Sequence, residues 1–422
     1  MTIRWSHRNH PGAIRQRQQM IRALPTWLPE DERAFAWAVD PERLMRHQEA
    51  LTGQMVFPVS VVGPLRVRLG RYQVEESGSL TPVDRYQDDV LIPLVHTEGG
   101  LSASMQRGIH AVNAAGGVRT DLLGDMMTRD CAFVFDTAPQ AVEFWRWLQP
   151  LTKSLTDWLN DPNHPGRKIL PGQTVSAVSR HARLVGIDGV VVGPVCHVLY
   201  KFFTGEACGP NMMTRNAYAL NQAILARLPA TGPSPLNIYL EANLGGDKKP
   251  SHQYFNGGHG KTVTASASLS HAQLRRYLNI TADELRRLEW AGLHGSQASG
   301  MQSFGFTPAS AVAALFAATG QDLGMVGTSS MAHATIQVTE AGAEFSLQLG
   351  GIEVGTVGGG TTLPHAQSYL RLLGCLGPGS SQRLAQLVGA AALALEISAA
   401  AAMAGRGSEN FFRAHLERGG HR

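Results

Sequence analysis

"LAQLVGAAALALEISAAAAMAG", residues 384–405, is the most apolar stretch of the chain, and its reading decides the fold. The run is long enough to cross a bilayer, but alanine is its commonest residue by far, and Gln386 and Glu396 interrupt it. Alanine is too weakly apolar to drive insertion, so the run reads as a buried helix packed closely on its neighbours. Leu384, Leu387, Val388, Ala391 and Leu395 recur at helical spacing and form one face, with Ser380 or Ser381 placed to cap the start. On this reading nothing in the sequence spans a membrane.

The chain has 422 residues, 43% hydrophobic and 17% charged, which is enough for a large core and two or three globular domains. The net charge of +4 is small for this length, and no nucleic-acid motif accompanies the basic start (Arg4, Arg15, Arg17, Arg22), which reads as the solvated face of a short helix. Cys131, Cys196, Cys208 and Cys375 lack CxxC spacing. That argues against a disulfide framework and against a zinc site, so no metal is expected and a reducing, cytoplasmic location is. The N-terminus lacks the apolar core of a signal peptide.

Residues 1–48 read as a polar helical segment, and "PVSVVGPLRVRLG" (58–70) alternates like a strand. "GGLSASMQRGIHAVNAAGG" (99–117) has a glycine entry, helical spacing and a Gly-Gly stop. "CAFVF" (131–135) starts a middle region of strands and helices, with "FWRWLQPLTKSLTDWL" read as one amphipathic helix. The mix predicts a compact α+β unit inserted into a larger α+β host.

Four segments carry candidate chemistry. Glu98, in "HTEGGLSAS", follows an apolar run that would bury it; a carboxyl in a dry pocket holds its proton and can donate it. The same residue also reads as a charge favoured at a helix N-terminus. The lysines of "GGDKKP" (245–250) are either a surface turn or cations positioned to stabilise an oxyanion on a carbonyl. Asp322, in "ATGQDLG", follows an alanine-rich helix, where an unpaired carboxylate is costly. A loop lysine or any arginine would resolve that cost. His415 lies in a polar tail near two aromatics.

In this order and spacing, "PLVHTEGGLSASMQRG", "MTRDCAFVF", "SRHARL", "YKFFTGEACGPNMMT", "GGDKKP", "TGQDLGMVGTSS" and "GTVGGGTTLP" resemble the motifs of the hydroxymethylglutaryl-CoA reductase family. The resemblance covers roughly residues 49–420 and is to the soluble catalytic portion. It implies an NADPH-dependent, four-electron reduction of an acyl-CoA thioester to a primary alcohol, with hydroxymethylglutaryl-CoA and mevalonate as the default pair. The same chemistry on another acyl-CoA or on an acyl-carrier-protein thioester is the rival, and a non-catalytic ligand-binding homologue is a remote alternative.

Carried over by motif, Glu98, Lys248, Asp322 and His415 match the catalytic set. Arg129, Asn243, Asp247 and Lys249 match substrate-binding positions. Ser179 and Arg180 match residues at an adenosine 2′-phosphate, where a guanidinium fork suits the anion and favours NADPH over NADH. Glu206, Gly209, Asn211 and Met212 match a turn where helix-opening amides cradle the dinucleotide. No GxGxxG follows a strand, so the cofactor unit is expected to be non-Rossmann and ferredoxin-like. The implied layout is an N-terminal segment (1–48), a large catalytic domain (49–130 and 240–402), a small NADP(H)-binding domain (131–239) and a mobile tail (403–422) carrying His415. Active sites shared between subunits imply at least a homodimer.

The chain departs from the family pattern at Glu49-Ala50, Glu206-Ala207-Cys208-Gly209-Pro210-Asn211, Glu241, Ala291 and Ser310. Glu241 replaces a serine and Ala291 a lysine, both at positions that in the family grip the distal carboxylate of the acyl group. Losing one charge-assisted contact weakens binding by about 1.5–3 kcal/mol.

Overall fold

The computed structural model describes residues 10–45, 48–161, 163, 178–405, 409, 411 and 412. The fold is mixed α+β around a single open sheet of nine strands among the described residues. They are β1 (Val59–Val74), β2 (Leu80–Val95), β3 (Val118–Val134), β4 (Arg183–Val192), β5 (Val195–Phe203), β6 (Asn237–Tyr239), β7 (Gly260–Ser270), β8 (Ala332–Thr339) and β9 (Gly342–Ile352). The main path runs β2-β1-β3-β7-β9-β8. Its pairings are antiparallel except for a short parallel contact of β1 with β3 at Val67–Val118 and Arg68–Arg119.

The Ser380–Ala404 helix lies against this sheet, and 78% of its most apolar window is buried within the fold. Its small residues let neighbours come close. A Cβ on Gly108, in the Leu101–Ala114 helix, would stand 1.8 Å from the carbonyl oxygen of Ala394, so the two helices meet backbone to backbone. The two polar residues inside the run have buried partners. The Gln386 amide donates to the Gly70 carbonyl and accepts from the Gly70 N–H, both at 2.9 Å, and so pairs with the β1 backbone as another strand would. The Glu396 carboxylate accepts from the N–H groups of Phe306 (2.7 Å) and Thr307 (2.8 Å), just before the Pro308–Thr319 helix. Burial nevertheless pushes its pKa above the ordinary glutamate value, against the pull of the Thr307 and Phe306 bonds.

Neither serine caps the long helix. Gly379 is its N-cap, and the missing acceptor comes from across the fold. Glu206 Oε1 accepts from the Gly379 N–H and Oε2 from the Ser381 N–H, both at 2.6 Å, which places a carboxylate at the positive end of the helix dipole.

Strand β3 is longer than the run at 131–135 suggests. Its first half pairs with β7 and its second half, from Met127 to Val134, with β5 and β6. The order there is β4-β5-β3-β6, all antiparallel. A second apolar cluster, with Phe133, Phe144, Leu148, Tyr200, Phe202 and Leu220, packs against that half, apart from the cluster under the long helix. The helix expected through 144–159 is broken into Ala138–Leu148 and Thr152–Asn160 by a 3₁₀ turn at Gln149–Leu151. Pro150 explains the break, because it lacks the N–H that a continuous helix needs.

The Gly108 contact gives a direct check. In an open helix Gly→Ala gains about 1 kcal/mol, but overpacking costs about 1–3 kcal/mol and the neighbour here is backbone. Gly108→Ala is therefore expected to destabilise the protein by roughly 1–2 kcal/mol in urea unfolding; a gain in stability would contradict the close approach.

Candidate active site

The loop from Glu241 to Pro250 is pinned between β3 and the segment after the Pro308–Thr319 helix. Gly245 lies against β3, where a Cβ would come 2.9 Å from the Asp130 nitrogen. The N–H of Lys249 donates to the carbonyl of Gly246 at 3.0 Å and closes a four-residue turn. Lys248, third in that turn, has φ +57°, a left-handed conformation rare for a lysine. From there its Nζ reaches Asp322 Oδ2 at 2.7 Å. Asp322 is fixed in turn: its Oδ1 accepts from the Gly324 N–H at 2.9 Å. The adjacent Gln321 amide is doubly bonded to the backbone of Gly355, at 2.9 and 3.0 Å.

The Asp322 hydrogen bond outweighs partial burial and raises the pKa of Lys248. At Asp322 burial pulls upward, but the Lys248 and Gly324 hydrogen bonds prevail and hold the carboxyl below the usual aspartate value. Both side chains are about half exposed (47% and 48%), so the pair is worth only about 0–1 kcal/mol of stability. That contribution is lost at the acid end as pH falls through the lowered Asp322 value, and at the alkaline end as pH rises through the raised Lys248 value. A contact so weak in stability and so closely specified in geometry is better suited to chemistry than to folding.

Around it lies a closed charge cluster. Buried Arg129 reaches Glu241 at 2.6 Å and Asp247 at 3.1 Å, and the Lys249 ammonium contacts Glu241 at 3.4 Å and the Asp247 carbonyl at 2.8 Å. Asn243, at φ +76°, donates its N–H to Glu241 Oε1 at 2.9 Å. The two cations therefore already have carboxylate partners within the fold.

Glu98 does not join this group within one chain. The apolar run ends with Ile92 and Leu94 buried, but Glu98 itself is exposed ahead of the Leu101–Ala114 helix. Among the described residues no hydrogen bond or ion pair links it to Lys248 or Asp322, so the dry pocket expected from the sequence is not formed by this chain alone. His415 lies outside the described residues.

The cofactor candidates gather around the Pro210–Leu225 helix. Gly209 is its N-cap at φ +86°, and a Cβ there would stand 2.8 Å from Thr204 and 2.9 Å from Met212, so the turn is a cradle only glycine leaves open. Asn211 is exposed in the first turn, and Met212 is half-buried. Ser179 is held by its N–H to Asn216 of the same helix at 2.7 Å, with Arg180 exposed beside it. An open helix start with a serine and a guanidinium nearby fits a phosphate-bearing dinucleotide. The Glu206 carboxylate, by contrast, is occupied by the start of the long helix.

Sequence reasoning did not single out the buried layer under the loop: Thr128, Tyr254, His259, Thr328 and Glu353. Tyr254 donates to Glu353 Oε1 at 2.9 Å, and Thr328 bonds the same oxygen. The available signal was a glutamate inside the apolar "GGIEVG" run (350–355), where only a specific partner makes a buried carboxylate tolerable.

Residues 13–419 match the family model described as hydroxymethylglutaryl-coenzyme A reductase. Among curated proteins, the 3-hydroxy-3-methylglutaryl-coenzyme A reductase of Pyrococcus horikoshii is 31% identical over 387 residues, covering 90% of this chain and 85% of its own. That of Aeropyrum pernix is 33% identical over 383 residues, covering 89% and 82%. A solved class II 3-hydroxy-3-methylglutaryl-CoA reductase from Streptococcus pneumoniae, bound to NADPH in open conformations, superposes with TM-score 0.63 over 92% of this chain and 96% of that one, at 17% identity. The chain belongs to the hydroxymethylglutaryl-coenzyme A reductase family, a family of oxidoreductases.

Proposed function

We propose that the chain reduces an acyl-CoA thioester to a primary alcohol with two equivalents of NADPH, with 3-hydroxy-3-methylglutaryl-CoA giving mevalonate and free CoA as the default. The observation that carries this is the Lys248–Asp322 contact at 2.7 Å, which fixes a positive charge at a loop edge open to substrate. NADPH supplies the reducing equivalents for both steps. Lys248 holds the negative oxygen that develops on the thioester carbonyl, and Asp322 keeps that lysine charged and oriented. His415 protonates the departing CoA thiolate, and Glu98 gives its proton to the alkoxide formed when the aldehyde is reduced. Two hydrides, one from each NADPH, and these two protons together balance thioester to alcohol plus thiol.

Glu98 reaches the reacting carbon in a homodimer. Supporting this, Met55, Val56, Phe57, Val59 and Val61 form an exposed apolar strip at the start of β1, beside the end of β2 that leads to Glu98. The β4-β5-β3-β6 order, with helices in the crossovers, supports a ferredoxin-like cofactor unit over 131–239. Ser179 and Arg180 are the residues that select NADPH.

The Arg129–Glu241–Lys249 pairing favours a second reading of the substrate, an acyl group without a distal carboxylate. An incoming anion would have to displace Glu241 from both cations.

Following NADPH absorbance with hydroxymethylglutaryl-CoA and with an uncharged acyl-CoA of similar size tests both readings. Turnover of either supports the reductase assignment, and oxidation with neither removes it. Glu241→Ser is expected to raise kcat/KM for the carboxylated thioester more than about tenfold, by freeing a charge-assisted contact; no change would show that Glu241 does not guard the pocket. Lys248→Ala should lower kcat by about 10²–10³ with the cofactor still bound, and near-normal turnover would overturn the mechanism. Asp322→Asn removes the partner that raises the Lys248 pKa, so the alkaline limb of kcat should move to lower pH; an unmoved limb would detach Lys248 from that titration.

A further inference from the structure

The turn that opens the Pro210–Leu225 helix is tied to the catalytic core through Glu206, which stands just before the Gly209 cap. Its carboxylate faces away from that helix and onto the start of the Ser380–Ala404 helix. Oε1 accepts from the Gly379 N–H at 2.6 Å. Oε2 accepts from the Ser381 N–H at 2.6 Å and from the Ser380 hydroxyl at 3.0 Å, with the Thr356 hydroxyl 3.4 Å away. The main chain adds two further ties. The Glu206 carbonyl accepts from the Thr356 N–H at 2.7 Å, and the Gly205 carbonyl accepts from the Ser381 hydroxyl at 3.1 Å. Thr356, Ser380 and Ser381 are all buried, so water competes little for these charge-assisted bonds.

The same ties lead on to the lysine site. Thr356 follows Gly355, whose N–H and carbonyl are both held by the Gln321 amide, and Gln321 precedes Asp322. A Cβ on Gly355 would stand 2.5 Å from the Cys208 nitrogen, so the segment after β9 lies directly on the turn. An unbroken line of contacts therefore runs from the Gly209 turn through Glu206, Thr356, Gly355 and Gln321 to Asp322 and Lys248. A helix start needs only a local acceptor, and a serine at the cap supplies one in most helices. A carboxylate brought from another element does more, because it fixes the two elements against each other.

We propose that Glu206 is a positioning residue for hydride transfer: it holds the dinucleotide turn at a fixed offset from the Lys248–Asp322 pair and acts through the turn, not by touching NADPH. The inference rests on the reading that this turn carries NADPH. Without the carboxylate the turn is free to take other placements. Only the fraction of molecules with the turn in place then binds the cofactor well, and the apparent affinity falls by that fraction. A turn free to shift also leaves the nicotinamide misplaced relative to a carbonyl carbon held at Lys248, so the hydride step slows. The acyl-CoA itself meets none of these contacts.

The test titrates the full chain with NADPH, followed by fluorescence, with thermal unfolding as the check on folding. A parent that binds no NADPH overturns the cofactor reading and this inference with it; once the parent binds, the variants bear on Glu206 alone. Glu206→Ala is expected to weaken NADPH binding more than about tenfold. It should also lower kcat and raise KM for NADPH while KM for the thioester holds, with a larger isotope effect from NADPH deuterated at the transferred position. Ser381→Ala removes the Gly205 tie and leaves the carboxylate in place, and should weaken NADPH binding roughly two- to tenfold. That variant decides if Glu206→Ala does not fold. Parent-like affinity in either folded variant overturns the proposal; in Ser381→Ala alone it would mean that Glu206 acts by direct contact with the cofactor. An equal rise in KM for the thioester would mark general loosening and overturn it too.

Discussion

The Lys248–Asp322 contact joins two loops 74 residues apart in the chain and gives the candidate site a half-exposed ammonium held in a defined direction. Almost everything nearby constrains it. Gly245 brings the lysine loop against β3, Gly324 fixes the aspartate, and Gln321 clamps that segment to Gly355. None of this adds much to stability, because a half-exposed ion pair adds little. What the arrangement fixes is direction: an ammonium already oriented when a carbonyl oxygen begins to gather charge.

Behind the site, the long alanine-rich helix solves a packing problem. Its small residues admit neighbouring backbone at distances a larger side chain would forbid, as at Gly108 and Ala394. A polar group buried in such packing needs a partner, and Gln386 and Glu396 find theirs within the fold. Glu206 extends the same logic across the molecule. It sits on the turn leading to the Pro210–Leu225 helix yet serves the start of the long one, so the cofactor candidate region and the catalytic core share a carboxylate.

What the sequence made legible was local. A loop such as "GGDKKP" carries its lysines, its flexible glycines and its stop together, so burial cost made a loop lysine one candidate partner for Asp322, and the family resemblance singled out Lys248. Long-range convergence was not legible. The burial expected for Glu98 fails because an apolar run protects its own residues and not those beyond its end. The cap expected from Ser380 or Ser381 lost to Glu206, whose 174-residue separation from Ser380 hides it from any window. Strand β3 looked short because its two halves face different partners and show different patterns. Asp247, His259 and Glu353 meet only because β7 pairs with β9 beneath the turn.

The most direct test of the central claim is a crystal structure of the protein with NADP⁺ and a non-reducible analogue of the acyl-CoA thioester. The account predicts the analogue's carbonyl oxygen within about 3 Å of Lys248 Nζ, with Asp322 on the far side of the ammonium and Glu98 from one of two copies closing the site. A carbonyl bound out of reach of Lys248, in every copy of the assembly, would contradict it.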